Sequence, residues 1–417
     1  MTISYQKNKN YNRTIMYVLF CSCIYLVVFH KAIEQIFFNG SSTVINEICS
    51  LLLLLISFTY SKSKLLINRS LIHLGLIFLY LFIVSVLFGK NDSVALISAQ
   101  IFIHMQLFIV FLSILIIKNK YRFKIYPIFK IIIIISAIGL LMQLIIPGIF
   151  NSIFPIEENT SYGFENDEQR FWGFQLNSNA LGILFSFFFI TVLDKLNFKK
   201  NKLLLFFLLF AIIISGSRTA LIFVAIGFIF SNFSLIKKTT SISLIVFILL
   251  FSGLSDSLIQ KTNKNLDSLS TIDSTRYIRF LMTYHGVNLS IKYFPFGTGA
   301  ATFGTVLSNN SSVYNEVGIA DLPSVIEKSG IYDSNFGSIS GEFGIIGLLI
   351  FYGFFYILIE KFKSYHNYKN FNIYLFFIIG IIASLLRVFF ISTFYSVVFC
   401  LLLFSYIELK QLQNVKK

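Results

Sequence analysis

Residues 212–223 read IIISGSRTALIF, so two apolar runs meet at a short polar turn that carries one arginine, Arg218. The flanking apolar runs cover about 202–215 and 219–236. Gly216 and Ser217 favour a turn between two helices over one continuous helix. The choice matters for the whole chain, because one continuous helix would reverse the direction of every later segment.

The composition indicates a protein that resides in a membrane. Apolar residues make up 56% of the 417 residues and charged residues only 13%, and the mean hydropathy is +0.78. A soluble chain of this composition could not keep its surface polar. The N-terminus is polar and basic, and the apolar run from Ile15 to His30 lacks a small-residue cleavage site. We interpret that run as the first spanning helix and not as a signal peptide.

Because a spanning helix needs about 20 apolar residues, the sequence predicts an all-α polytopic membrane protein of about twelve transmembrane helices. Residues 1–417 would form a single integral membrane domain, and residues 256–341 a large extracytoplasmic loop inserted between two spans. The predicted spans are approximately 15–33, 44–60, 71–88, 95–117, 125–146, 173–193, 202–215, 219–236, 239–255, 342–359, 371–388 and 391–408.

The positive charges give these spans an orientation. With both termini in the cytoplasm, every predicted inside loop is basic, which is the positive-inside pattern. Counting 202–215 and 219–236 as one crossing would turn Lys361–Lys369 outward, so we predict two crossings. Topology therefore explains the net charge of +15, and no nucleic-acid partner is expected.

No pattern in the sequence predicts a metal or cofactor site. Four cysteines lie inside apolar runs, without a CxxC pair or a Cys/His cluster, and are interpreted as buried thiols. Neither HExxH nor DxD occurs. The cysteines are Cys21, Cys23, Cys49 and Cys400.

Arginine is scarce inside but almost as frequent as lysine on the predicted outer side. A guanidinium group is always charged, and its planar donors suit phosphate oxygens. The outer arginines could instead be separate snorkelling or salt-bridged side chains. Those arginines are Arg170, Arg218, Arg276, Arg279 and Arg387.

The large loop contains its own structural signals. Residues 273–275 can cap a helix that starts near Arg276, and a helix there would place Arg276, Arg279, Thr283, Gly286 and Ser290 on one face. The stretch FPFGTG at 294–299 is predicted to bend the chain back to the membrane. His285 is the one histidine expected outside the membrane, with packing or catalysis as its alternative roles.

Four stretches of the chain resemble, in order, the O-antigen polymerase and O-antigen ligase superfamily. Each is weak alone, but their order and their side of the membrane agree, and together they cover about 170–355. They are RFWGFQLNSNALG (170–182), SGSRTAL (215–221), the arginine helix followed by PFGTG (276–299), and DSNF with GEFGIIG (333–336 and 341–347).

The resemblance implies a metal-independent glycosyltransferase of the bacterial inner membrane. It would transfer a glycan chain from undecaprenyl diphosphate onto a lipid-linked repeat unit at the outer face, alongside a chain-length regulator and a flippase as possible partners. The ligases usually have a histidine beside an asparagine where this chain has Asp333, Ser334 and Asn335. That departure favours an O-antigen or capsule polymerase and leaves the general base unassigned.

The expected roles follow from the charge that develops on the departing diphosphate. Arg218, Arg276 and Arg279 are the predicted catalytic arginines, and Asp333, Glu342 and His285 are candidate bases. Arg170, Asn177, Asn179, Ser217 and Glu342 are predicted to bind substrate. Four of these have a structural alternative: Ser217 and Glu342 could cap helices, and Asn177 and Asn179 could satisfy backbone groups.

Three other functions remain open alternatives. An O-antigen ligase is the nearest. A lipid-linked oligosaccharide flippase should show two related halves and short loops, neither of which is evident. A solute transporter should carry charges in mid-membrane, and Glu47 is the only acidic residue clearly within a predicted span.

Overall fold

The computed structural model describes the chain at residues 2–38, 45–59, 65–154, 171–193, 202–230, 278–326, 331–332, 334–365 and 372–414. Every regular element in these ranges is a helix, which confirms the predicted all-α class. The predicted span 239–255, the acidic loop residues 157–168, residues 256–277 of the large loop and the predicted cap at 273–275 lie outside the described residues.

Seventeen α-helices are described in these ranges, several of them only one or two turns long. They are α1 Thr2–Val28, α2 His30–Phe38, α3 Ile45–Thr59, α4 Leu65–Phe88, α5 Val94–His104, α6 Gln106–Tyr121, α7 Ile125–Ile145, α8 Pro147–Ile153, α9 Ser178–Leu193, α10 Lys202–Ile214, α11 Arg218–Phe230, α12 Ile278–Lys292, α13 Val313–Glu316, α14 Pro323–Ile326, α15 Asn335–Tyr365, α16 Ile373–Leu386 and α17 Thr393–Asn414.

Four of the described helices are long and apolar enough to cross a membrane, and six if each of two bent pairs is one span. Five further apolar helices are shorter, α10 and α11 among them. The turn at 215–217 separates α10 from α11, as the glycine in that stretch predicts.

Two predicted spans are broken, which corrects the expectation of single helices at 15–33 and 95–117. The axis bends by 83° between α1 and α2 and by 55° between α5 and α6. At the first break His30 Nδ1 lies 2.8 Å from the Val27 carbonyl oxygen. A side chain that takes a carbonyl from the helical ladder is a recognised cause of a kink.

The chain divides into two compact units. The first comprises Met1–Leu74, Gln106–Val224 and Phe390–Lys417, and the second comprises Gly75–Met105 and Ala225–Phe389.

In the first unit, one carboxylate joins three helix ends. Glu408 of α17 accepts hydrogen bonds from Ile125 N and Tyr126 N at the start of α7, at 2.9–3.0 Å. Lys118 of α6 lies 3.2 Å from the same carboxylate. An anion is favourable at a helix N-terminus, where backbone N–H groups are unpaired. Glu408 thus connects α6, α7 and α17.

A second cluster gathers the opposite ends of predicted spans in the same unit. Ala32 of α2 packs with Phe150 of α8 and with Phe154 just after it, and Trp172 and Phe174 pack against them. The first and fifth predicted spans end, and the sixth begins, near this cluster.

In the second unit, small residues bring α12 and α15 into close contact. A Cβ added at Gly286 would lie 2.2 Å from the Gly337 carbonyl oxygen, and one at Gly337 would lie 2.7 Å from the Met282 carbonyl oxygen. Thr283 Oγ1 and Ser334 Oγ are 2.8 Å apart. The face predicted to carry Arg279, Thr283, Gly286 and Ser290 is therefore a packing face, whereas Phe280, Tyr284 and Ile291 are exposed.

The segment that follows α12 has a hydrophobic core of its own. Leu281, Leu289, Phe303, Tyr314 and Ile331 are among the buried residues of this cluster. The large loop is thus a packed substructure over its described part, attached through α12 to the first turns of α15.

A charge cluster ties this segment to the connection between α4 and α5. Lys90 binds both Glu316 and the Tyr293 hydroxyl group, and Lys292 Nζ lies 2.7 Å from Glu316 Oε1. Partial burial by itself raises the pKa of Glu316, but the hydrogen bonds from Lys292, Lys90 and Tyr293 outweigh it and lower the pKa from 4.5 to about 2.

Gly337→Ala should loosen the helix contact. The added methyl group meets backbone atoms of α12 that cannot rotate away, and overpacking of this kind costs about 1–3 kcal/mol. We expect a lower Tm in detergent and faster proteolysis after Lys292. Gly353→Ala in the same helix is the control, because a Cβ there meets no atom within 4 Å. Equal Tm values for the two variants would contradict the contact.

The Glu316 cluster should stabilise the fold in a pH-dependent way. A carboxyl group whose pKa falls from 4.5 to about 2 on folding contributes stability above pH 4.5 that is lost as the pH approaches 2. The Tm difference between the wild type and Glu316→Gln should therefore be largest near pH 7 and shrink below pH 4.5. Exposed Asp321 supplies the control, Asp321→Asn. A difference independent of pH would contradict the assignment.

Candidate functional site

In the first unit, the starts of α9 and α11 meet beside Arg218. Gly182 of α9 faces the turn before α11, since a Cβ built on it would lie 2.5 Å from Ser217 Cβ and 2.7 Å from Ser215 Oγ. Gly216 makes that turn with φ +63°, a conformation that glycine adopts without strain. Two helix N-termini, each with a partial positive charge, are thereby placed next to one arginine.

Both helix starts are capped by residues predicted to bind substrate. Asn177 Oδ1 accepts from Ala180 N at 3.0 Å at the start of α9. Ser217 is fully buried, and its Oγ accepts from Ala220 N at 3.4 Å. These two side chains serve the capping role that the sequence left open as an alternative. Asn179 is half-buried one residue into α9.

The segment that leads into α9 is held against α7. Gln143 Oε1 accepts from both Trp172 N and Gly173 N at 2.9 Å, and Gln175 Nε2 donates to Ser136 Oγ at 2.7 Å. These bonds fix the chain just before Asn177. The start of α9 is therefore held by residues 172–175 on one side and by the contact of Gly182 with the turn at 215–217 on the other. Sequence reasoning did not single out Gln143, since a lone glutamine in an apolar run gives no motif.

Arg218 itself is the first residue of α11 and is half-buried. A guanidinium group at a helix N-terminus is unfavourable for the helix itself, because its charge has the same sign as the helix dipole. A bound anion would remove that conflict, since the arginine and the helix N–H groups would then attract the same charge. The local arrangement is therefore suited to an anionic group such as a phosphate.

In the second unit, the bend at 294–305 wraps around a buried carboxylate. Glu342 of α15 has no exposed surface, and its Oε1 accepts from Thr302 N at 2.9 Å, Phe303 N at 3.2 Å and Thr305 Oγ1 at 3.1 Å. Glu342 does not cap the tenth predicted span, its predicted alternative role, because its Oε1 atom accepts from Thr302, Phe303 and Thr305 of the bend.

Backbone bonds complete the attachment of this bend to α15. Thr298 N donates to Gly341 O at 2.9 Å, and Gly299 N donates to Glu342 O at 2.8 Å. These carbonyl groups are available because Gly344, with φ +64° and ψ −161°, interrupts the helix. Side chains are excluded at the crossing, since a Cβ on Gly297 would lie 2.5 Å from Gly344 N. The segment PFGTG (295–299) thus packs on GEFG (341–344) through these backbone hydrogen bonds.

The second oxygen of Glu342 faces a histidine. Glu342 Oε2 lies 3.8 Å from His104 Nε2, and both side chains are completely buried. His104 Nδ1 lies 2.8 Å from Gln100 Nε2 and 3.1 Å from Gln100 O. No sequence pattern pairs His104 with Glu342, because 238 positions separate them along the chain and neither belongs to a metal motif.

Arg279 and His285 lie on α12 and are both half-buried. The Arg279 carbonyl accepts from Thr283 Oγ1 at 2.8 Å, so the residue belongs to the turn that packs on Ser334. Burial lowers the pKa of His285, which keeps its imidazole neutral near pH 7, as a general base requires. Arg170, Arg276 and Asp333 lie outside the described residues.

The described side chains do not form a metal site. Within the described ranges, no three residues among His, Cys, Asp and Glu come together as metal ligands would.

Glu342→Ala should unfold the bend at 302–305. The substitution removes the acceptor of three buried donors, and each donor left unpaired costs about 1–3 kcal/mol. Glu342→Gln keeps one acceptor oxygen and should be milder. We expect the Tm to fall in the order wild type, Gln, Ala. Exposed Glu360 in the same helix gives the control, Glu360→Ala. An unchanged Tm for Glu342→Ala would refute the role of the carboxylate.

Comparison with known proteins finds one family model that matches part of the chain. Residues 203–352, just over a third of the chain, match the family model described as O-antigen ligase. The matched stretch runs from α10 to the middle of α15, so it contains Arg218, Arg279 and Glu342 but not the start of α9. No curated protein matches the chain. The match confirms, for this stretch, the predicted resemblance to the O-antigen ligase and O-antigen polymerase superfamily.

Proposed function

We propose that the chain is a polysaccharide polymerase that transfers a growing glycan from undecaprenyl diphosphate onto a lipid-linked repeat unit. The observation that carries the proposal is the half-buried Arg218 at the capped start of α11, inside the stretch that matches the O-antigen ligase model. Enzymes of this type must stabilise a diphosphate as it leaves, and Arg218 offers fixed positive charge for that purpose.

The reaction needs charge stabilisation and one proton acceptor. As the bond between the anomeric carbon and the diphosphate oxygen breaks, negative charge grows on the diphosphate, and Arg218 and the N–H groups of α11 bind it. The acceptor hydroxyl of the lipid-linked repeat unit attacks the anomeric carbon and loses its proton to a base. His285 is the proposed base among the described residues, because its imidazole is neutral and half-buried.

Arg279, Arg276 and Arg170 are proposed as further diphosphate contacts, and Asn179 as a sugar contact. Glu342, in contrast, is completely buried, and its Oε1 atom accepts hydrogen bonds from Thr302, Phe303 and Thr305 of the bend. We therefore propose that Glu342 acts on the reaction only by positioning that bend, and not by touching substrate.

A ligase is the second candidate, because the matched family model carries that description. The absence of a histidine at 333–335 favours the polymerase. The two activities leave different products in a strain that lacks the gene. A missing polymerase leaves single repeat units on the lipid carrier, whereas a missing ligase leaves finished polymer on the carrier.

Arg218→Ala should abolish long-chain polysaccharide while the protein still inserts into the membrane. Loss of one electrostatic donor to a transition-state anion typically lowers the rate about 100- to 1,000-fold. Arg218→Lys should also perform poorly, because a single ammonium cannot form the paired bonds of a guanidinium. The measurement is polymer length by gel electrophoresis, with protein level by immunoblot. Exposed Arg13 gives the control, Arg13→Ala, and normal polymer from Arg218→Ala would reject the proposed role.

A further inference from the structure

The segment between α12 and α15 contains a polar pocket that no role described so far uses. Its volume is about 270 Å³, somewhat below the range of about 300–1,000 Å³ typical of drug-sized ligands, so it suits one or two sugar rings. The lining residues, here called the asparagine pocket, are Asn309, Asn310, Ser311, Tyr314, Asn315, Ala320, Val325 and Ile326.

The polar half of the asparagine pocket has donors and acceptors available for a ligand. Asn309 Oδ1 accepts from the Tyr332 hydroxyl at 2.6 Å. The oxygen of the Asn309 amide therefore faces Tyr332, and the NH₂ group of that amide can donate to a ligand. Ser311 Oγ accepts from Val313 N at 3.2 Å, so its hydroxyl hydrogen can still be given to a ligand. The Asn310 and Asn315 amides stand at the exposed edge.

The other half of the pocket is aliphatic. Val325 is buried and Ile326 is 64% exposed, and Ala320 lies beside them. A sugar ring has hydroxyl groups around its edge and C–H groups on its faces. Amide and hydroxyl groups opposite a small apolar surface match that pattern, because each amide can both donate to and accept from neighbouring hydroxyls.

The walls of the pocket are held in place by the hydrophobic core beneath it. Tyr314 is 2% exposed and belongs to that core together with Val313 and Val325. Its hydroxyl accepts from Gly304 N at 2.9 Å and lies 2.8 Å from Ser308 Oγ. A site whose walls are already fixed loses little conformational entropy on binding.

The charge of the lining distinguishes this pocket from the surroundings of Arg218. None of the described lining residues is ionisable to a charged form near pH 7. A diphosphate would find no positive partner there, whereas an uncharged stretch of glycan would leave no charge unpaired.

We propose that the asparagine pocket binds uncharged sugar residues of the glycan substrate. The proposal rests on the proposed function and extends it, since the pocket would hold the sugar portion while arginines bind the diphosphate. Its amides would then contribute to the choice of repeat unit, because a site built to hydrogen-bond a hydroxyl group rejects analogues that lack it.

Binding to the full-length protein in nanodiscs tests the proposal. The probe is a carrier-free oligosaccharide of two or three repeat units, released by mild acid from the surface polysaccharide of the producing cells. We expect measurable binding by saturation-transfer NMR, weakened about three- to tenfold by Asn310→Ala or Asn315→Ala, since a lost hydrogen bond costs about 0.5–1.5 kcal/mol. Tyr314 is left unchanged because it belongs to the core.

Asn288→Ala is the matched control, because Asn288 is an exposed asparagine of α12 outside the pocket. Its affinity for the oligosaccharide should equal that of the wild type. The proposal is overturned if the wild type does not bind the oligosaccharide. It is also overturned if the double variant Asn310→Ala/Asn315→Ala binds the oligosaccharide as tightly as Asn288→Ala does.

Inorganic pyrophosphate, used as a second probe, separates this proposal from the proposed function. Its binding should be unchanged in Asn310→Ala/Asn315→Ala, and a parallel loss of both probes would overturn the division between sugar and diphosphate sites. If the deletion strain still makes polymer but the pocket variants lose oligosaccharide binding, the polymerase function fails while the sugar site stands.

Discussion

The burial of the Glu342 carboxylate is the constraint on which the second unit depends. A carboxylate without exposed surface must be supplied with hydrogen bonds, and Thr302, Phe303 and Thr305 supply them. The same requirement therefore fixes the bend at 302–305 on α15. If the segment after α12 separated from α15, the three donors would lose their acceptor and the Glu342 side chain would lose its donors.

Glycines let the backbones come close enough for this to occur. Gly286 meets Gly337 where α12 crosses α15, and Gly297 meets Gly344 where the bend docks on the interrupted helix. Small residues at helix contacts let two backbones approach closely enough to pack. The position of Arg279 follows from these contacts, since Thr283, one turn later, is bonded to Ser334.

In the first unit, Arg218 is positioned by contacts of a different kind. Gln143 holds the backbone before α9, and Gly182 lets the start of α9 lie against the turn at 215–217. Arg218 thus sits on a rigid helix start. Preorganised charge of this kind stabilises a transition state without reorganisation during the reaction, which is the property a diphosphate-releasing transferase needs.

The charge clusters differ in how much they depend on water. Glu316 with Lys90 and Lys292 is accessible to solvent, so salt and pH will modulate it. Glu342 is sealed from solvent, and its bonds hold the fold irrespective of ionic strength. Changes in salt or pH can therefore loosen the contacts around Glu316 more easily than those around Glu342.

The sequence alone determined the helical membrane class, the separation of α10 from α11 and the resemblance to the O-antigen ligase and O-antigen polymerase superfamily, because hydropathy, a glycine turn and SGSRTAL are local signals. It also predicted the shared face of Arg279, Thr283 and Gly286, since helical spacing is a local property. It missed the breaks at Phe29 and Met105, the pairing of His104 with Glu342 and the docking of PFGTG on GEFG. Those features need contacts between residues far apart in the chain, and only the tertiary structure decides which buried carboxylate meets which loop.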